Sequence, residues 1–131
     1  MSPVRHQVTG HALSFAIDEE IRTVRGELAA AHGRSARTLV KDGPLRVTLV
    51  AVSPGGELRE HRADGPITIQ VLDGEIELRT GERSWTLAAG TLFALDAGIP
   101  HAVRSARGGI FLLTVVFPAA GESAEPRGGG A

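Results

Sequence analysis

The chain has 131 residues, a net charge of -1, 42% hydrophobic and 22% charged residues, which suits one domain with a core of its own. Acids and bases are interleaved and aromatic residues are few (four Phe, one Trp, no Tyr), so a nucleic-acid partner is not expected. Cysteine is absent, which excludes disulfides, thiolate ligands and a cysteine nucleophile together.

No apolar run approaches the roughly 20 residues that cross a bilayer, and Met1 to Gly10 lacks the apolar centre of a secretory signal. A cytoplasmic protein without a membrane partner is therefore expected. Residues 1–13, carrying His6 and His11, read as an N-terminal arm. Residues 14–33 read as an amphipathic helix packed on the outside of a larger body. Its apolar positions are Ile17, Ile21, Val24, Leu28 and Ala31, with Asp18 as N-cap, Glu19 and Glu20 in the first turn, and Gly33 as stop. His32 sits at the end that suits a cation.

From residue 34 to 117 the pattern is short and β-rich. Thr38–Val40 and Leu45–Val52 flank the turn Asp42-Gly43-Pro44, and Ile67–Leu72 leads to Asp73-Gly74, read as a hairpin turn before Glu75–Arg79. Ser84–Leu87, Leu92–Leu95, His101–Ser105 and Ile110–Phe117 follow. About eight or nine strands with turn signals at short intervals indicate an antiparallel sandwich or barrel. Residues 118–131, rich in Gly, Ala, Pro and Glu, read as a flexible tail.

Two stretches share a spacing. The first has Gly55, five residues, His61, and Gly74 thirteen positions later; the second has Gly90, five residues, Asp96, Gly98 and His101. This resembles the two motifs of the cupin superfamily over roughly residues 37–117, with Asp96 where proline is usual and Ser105 where asparagine is usual. The resemblance implies an all-β fold, a double-stranded β-helix barrel of the jelly-roll type, preceded here by the amphipathic helix. It also implies a homodimer and a site inside the barrel mouth. In metal-binding members the first motif resembles His-x-His followed by Glu or a third His, and the second motif supplies the last ligand. Those positions fall on His61, Ala63, Ile67 and His101, of which Ala63 and Ile67 cannot coordinate.

Two imidazoles hold a divalent Fe, Mn, Ni, Zn or Cu ion only if other donors join them. Glu57, Glu60, Asp64 and Asp96 are near in sequence, but none occupies a ligand position of the family. Gln70 is a further oxygen donor. By strand alternation it faces away from Ile67 and Ile69 unless a bulge at Gly65-Pro66 exchanges the faces. The candidate site is therefore His61 and His101 for a metal, with Ala63, Ile67, Ile69 and Gln70 for the cavity. The same two histidines read equally as inward side chains bonded to backbone or water, or as a metal-free acid and base. Lys41 and Arg59 read as anion ligands at the mouth or as solvated strand ends, Trp85 as buried, and Asp96 as a loop stabiliser.

Three functions stay open. The first is a barrel that binds a small molecule inside, made roomier and more apolar by Ala63 and Ile67. The second is a metal-dependent enzyme, oxygenase- or isomerase-like, acting on a small organic substrate. The third is a structural dimer without ligand.

Overall fold

The computed structural model describes residues 12–29 and 33–118. His6, His11, Ala31, His32, residues 1–11 of the arm and residues 119–131 of the expected tail lie outside the described residues. The described chain runs α1 (Ile17–Ala29), β1 (Arg34–Asp42), β2 (Leu45–Val52), β3 (Glu57–His61), β4 (Ile67–Thr80), β5 (Arg83–Ala88), β6 (Leu92–Leu95), β7 (His101–Arg104) and β8 (Gly109–Val116). All strand pairings are antiparallel. The fold is an all-β jelly roll with one helix.

β4 belongs to both sheets. Its first half pairs with β8 and β6, so β1, β2, β8, β4 and β6 form the helix-side sheet. Its second half pairs with β7 and β5, so β3, β7, β4 and β5 form the histidine-side sheet. The expected hairpin turn at Asp73-Gly74 is corrected: the chain continues through it as one strand and bends from one sheet into the other. The Asp-Gly pair supplies the left-handed conformation it promised (Gly74 φ 70°), but for a corner rather than a reversal. A register shift between Val71 and Asp73 accompanies the bend. Inward positions are odd before it (Ile67, Ile69, Val71) and even after it (Ile76, Leu78).

The concave faces enclose one apolar cluster, with Val50, Val52, Phe111 and Val115 from the helix-side sheet and Leu87 and Val103 from the other. Full burial of each such side chain contributes about 1.5–3 kcal/mol. The outer face of the helix-side sheet carries a second cluster, Leu39, Leu49, Ala51 and Ile110, onto which α1 packs Val24, with Ile17, Ile21 and Leu28 around it. The helix is thus held by its apolar stripe, as its spacing predicts. The expected cap at Asp18 is corrected. The N–H groups of Glu19 and Glu20 both donate to the Ala16 carbonyl (3.0 and 3.1 Å), so Ala16 holds the cap position and Asp18 lies in the acidic first turn. Arg37 of β1 donates to Glu20 at 3.1 Å and ties the helix to the sheet edge.

Two glycine substitutions separate the local from the tertiary part of this account. A Cβ on Gly26 meets nothing within 4 Å, so Gly26→Ala raises stability by about 0.5–1 kcal/mol. A Cβ on Gly74 would stand 2.2 Å from the Gly108 carbonyl oxygen, at positive φ. Gly74→Ala therefore costs about 2–3 kcal/mol. Urea denaturation followed by circular dichroism measures both, and equal effects at the two sites would contradict the corner assignment.

Candidate functional site

His61 ends β3 and His101 begins β7, and the two residues are register partners across that strand pair. Val103 belongs to the interior cluster, so His101, two residues earlier in the same strand, faces the interior as well. His61 reaches the same face through a bulge. Between Leu58, opposite Val103, and His61, opposite His101, β3 holds one more residue than β7. Without it, Glu60 would stand opposite His101. The bulge lies here, not at Gly65-Pro66.

The imidazole centroids are 4.3 Å apart with the planes inclined at 58°. Each ring is tethered in the same way. Nδ1 of His61 bonds the Arg59 carbonyl oxygen at 3.0 Å, and Nδ1 of His101 bonds the Ile99 carbonyl oxygen at 2.9 Å. A carbonyl oxygen only accepts, so Nδ1 carries the hydrogen in both rings, and in the neutral form Nε2 holds the lone pair. The pair thus presents two oriented Nε2 atoms. His61 is exposed, while His101 is only 3% exposed.

Burial lowers the pKa of His101 below the ordinary imidazole value of 6.5; the bond to Ile99 opposes this, and the neighbouring His61 charge adds to it. The neutral form is therefore the resting form of His101 at pH 7.

The candidate cavity residues divide. Ile67 and Ile69 are 3% and 1% exposed in the interior cluster, and Ala63 packs against that cluster partly buried. Gln70 is exposed on the opposite face of β4, with Leu112 and Leu92 as its register partners, so its assignment to the cavity is corrected. Strand alternation runs unbroken from Ile67 to Val71, and no bulge precedes it to exchange the faces. Trp85 is half-buried against Phe93 (5.0 Å between centroids), and Asp96 accepts from the Ala97 N–H at 2.7 Å, the local loop bond its sequence suggests. Ser105 is buried and donates to the Glu75 carbonyl oxygen at 2.5 Å, binding the end of β7 to the corner of β4. Arg59 lies in a groove of about 270 Å³ on the outer face of the histidine-side sheet, beside Glu57, Glu60 and Glu77, away from the interior.

The residues present do not make a metal centre with four protein ligands. Among the described residues, no group of three or more His, Asp or Glu side chains is placed so that it could hold a metal ion. The two remaining family positions hold Ala63 and Ile67, and the buried Ile67 excludes donors as well as lacking one.

Arg46 was not visible as a site residue in the sequence. It lies on the inner face of β2, opposite the interior residue Val115, with its guanidinium 4.6 Å from the Phe117 ring centroid. The signal that could have found it is parity: positions 50 and 52 face inward, and so does 46.

A family model described as a cupin domain matches residues 48–117. The chain is a cupin. Comparison with curated proteins gave no match. Among solved structures, this cupin is similar to a conserved protein of unknown function from Streptococcus pyogenes, at 30% identity over 65% of this chain and 75% of that one, with a TM-score of 0.62. A cupin superfamily protein from Desulfitobacterium hafniense is 13% identical over 89% of this chain and 100% of the other, with a TM-score of 0.65. A salicylate 1,2-dioxygenase G106A mutant from Pseudoaminobacter salicylatoxidans gives a TM-score of 0.69 at 15% identity, over 78% of this chain but 34% of that enzyme. The latter two likenesses concern the fold. No helix of the described residues is long and apolar enough to cross a membrane.

The lowered pKa of His101 fixes a direction for stability against pH. Between its folded value and 6.5, the unfolded chain binds a proton that the folded chain does not. The contribution of His101 is fully present above about 6.5, is lost as pH falls through that window, and stays constant below the folded value. Urea titrations across this range should show stability falling with pH in the wild type and a flatter profile in His101→Gln. An unchanged profile in the variant contradicts the burial argument.

Proposed function

We propose that this cupin binds a small, partly apolar molecule at its concave face, with Nε2 of His61 and His101 receiving a hydroxyl or N–H of the ligand. One observation carries the reading: two adjacent imidazoles share one face, each tied back through Nδ1, where the family's other two donor positions are apolar. A neutral Nε2 is an acceptor, so the pair selects a donor group, and the partly buried Leu58, Ala63, Trp85 and Phe93 offer apolar contact beside the core. Binding costs little reorganisation, because the two backbone bonds already hold the rings.

The competing reading is a metal-dependent enzyme in which solvent or substrate completes a two-histidine site. Its support is the same free Nε2 pair, since a ligating histidine is commonly oriented by a bond from its other nitrogen. Against it stands the donor set, two side chains short of the family pattern. The expected homodimer is kept as a proposal. Leu45 and Val116, register partners, and Leu92, elsewhere on the same outer face of the helix-side sheet, are the exposed large apolar side chains among the described residues. Light scattering that finds monomer at micromolar concentration removes it.

Elemental analysis of protein purified without added metal separates the two readings of the site. The expected result is far less than one equivalent of metal, unaffected by His61→Ala or His101→Ala. Stoichiometric metal lost in both variants would overturn the proposal in favour of the enzyme. A thermal-shift screen of small alcohols, phenols and sugars then identifies the ligand class. A true ligand at 100 times its Kd adds about 2.7 kcal/mol to stability, and His101→Ala reduces that gain. No shift with any class leaves the structural role.

A further inference from the structure

The Arg46 end of the inner face carries a charge problem that the fold does not solve by itself. Arg46 stands opposite Lys41 in the β1–β2 ladder, so two cations are direct cross-strand partners, an unfavourable arrangement in isolation. Neither takes part in the ion pairs formed by the described residues, which join Arg25 to Asp73, Arg37 to Glu20 and Glu27, and Arg104 to Glu77. Nε of Arg46 is buried and has no hydrogen-bond partner. Buried donors of a charged group are rarely left this way, because desolvation is then uncompensated. The Phe117 ring beneath the guanidinium fixes its plane and restricts where an acceptor can approach.

We propose that Arg46, assisted by Lys41, is a carboxylate-binding subsite, which makes the ligand of this cupin a small organic acid with its apolar part along the concave face. A carboxylate accepts two parallel N–H bonds from a guanidinium edge, satisfies the buried Nε and offsets the opposed charges in one step. Lys41 is exposed and acts as a second point charge at the rim. The inference rests on the small-molecule reading above, and it adds an element that the histidines cannot supply. They accept from a donor, whereas Arg46 needs an acceptor.

Calorimetric titration of the full chain with hexanoate and with hexan-1-ol, its uncharged counterpart, tests the idea. Hexanoate is expected to bind at least tenfold more tightly than the alcohol. Arg46→Gln removes roughly ten- to hundredfold of the hexanoate affinity and leaves hexanol unchanged. Lys41→Gln, at an exposed position that the fold does not need, gives a smaller loss in the same direction and guards against a folding defect in the Arg46 variant.

Equal affinities for acid and alcohol, or hexanoate binding indifferent to Arg46→Gln, overturn the subsite, as does failure of hexanoate to bind. Hexanol binding that depends on His61 and His101 would then leave the histidine reading intact. Hexanoate binding that needs Arg46 but neither histidine does the reverse. The chain's own Glu122 and Glu125 follow Pro118 in sequence, and the double variant Glu122→Gln/Glu125→Gln distinguishes a free acid from these. Unchanged or tighter hexanoate binding supports the subsite for free acids. Loss of binding in that variant counts against it.

Discussion

The architecture depends on one strand serving two sheets. Along its first half β4 is hydrogen-bonded to β8 and β6, and along its second half to β7 and β5, so it is the strand that joins the two sheets and the one through which β6 and β5 enter them. Backbone hydrogen bonds hold the corner on both sides of the bend. Val71 donates to Thr91 and accepts from Gly90, while Glu75 donates to the Gly108 carbonyl and Gly74 accepts from Ala89. Gly109 faces Gly74 across the ladder, and a side chain there would collide with the Glu75 carbonyl. Close backbone approach is thus what allows the sheets to fold toward each other over a single apolar interior.

The rim follows from that corner. Because the bend exchanges odd for even positions, the histidine-side sheet turns Ile76, Leu78 and Val103 inward, and the next inward residue of β7 is His101. On the helix-side sheet the inward row ending in Ile67 and Val115 finishes at Arg46. Polar groups therefore mark the ends of two apolar rows. Their positions come from alternation and register, with no special local structure beyond the bulge in β3.

Much of this was legible in the sequence. The alternation of β-branched residues gave the strands, the spacing of Ile17, Ile21, Val24 and Leu28 gave the helix and its buried stripe, and the two glycine-to-histidine spacings gave the family. Parity alone argued that Gln70 faces away from Ile67 and Ile69, and the structure places it outside. The failures share a cause. Asp73-Gly74 encodes a positive φ, which a hairpin and a sheet corner both use, and only the partner strands decide between them. The bulge before His61 exists only relative to β7, so no reading of β3 by itself shows it. Arg46 is one cation in a run of strand residues, and its burial depends on Val115 and Phe117, which lie some seventy positions away in the chain.

The extra residue in β3 also means that strands of two lengths can present the same rim. With Arg59 and Glu60 both present, strict alternation from Leu58 would set Glu60 opposite His101, and the bulge brings His61 there instead. Loss of one codon, at position 59 or 60, would leave a single residue between Leu58 and His61, and an even ladder would then pair His61 with His101 without any bulge. The paired imidazoles thus tolerate a one-residue deletion at this point, and a sequence alignment would show a gap where the rim has not changed.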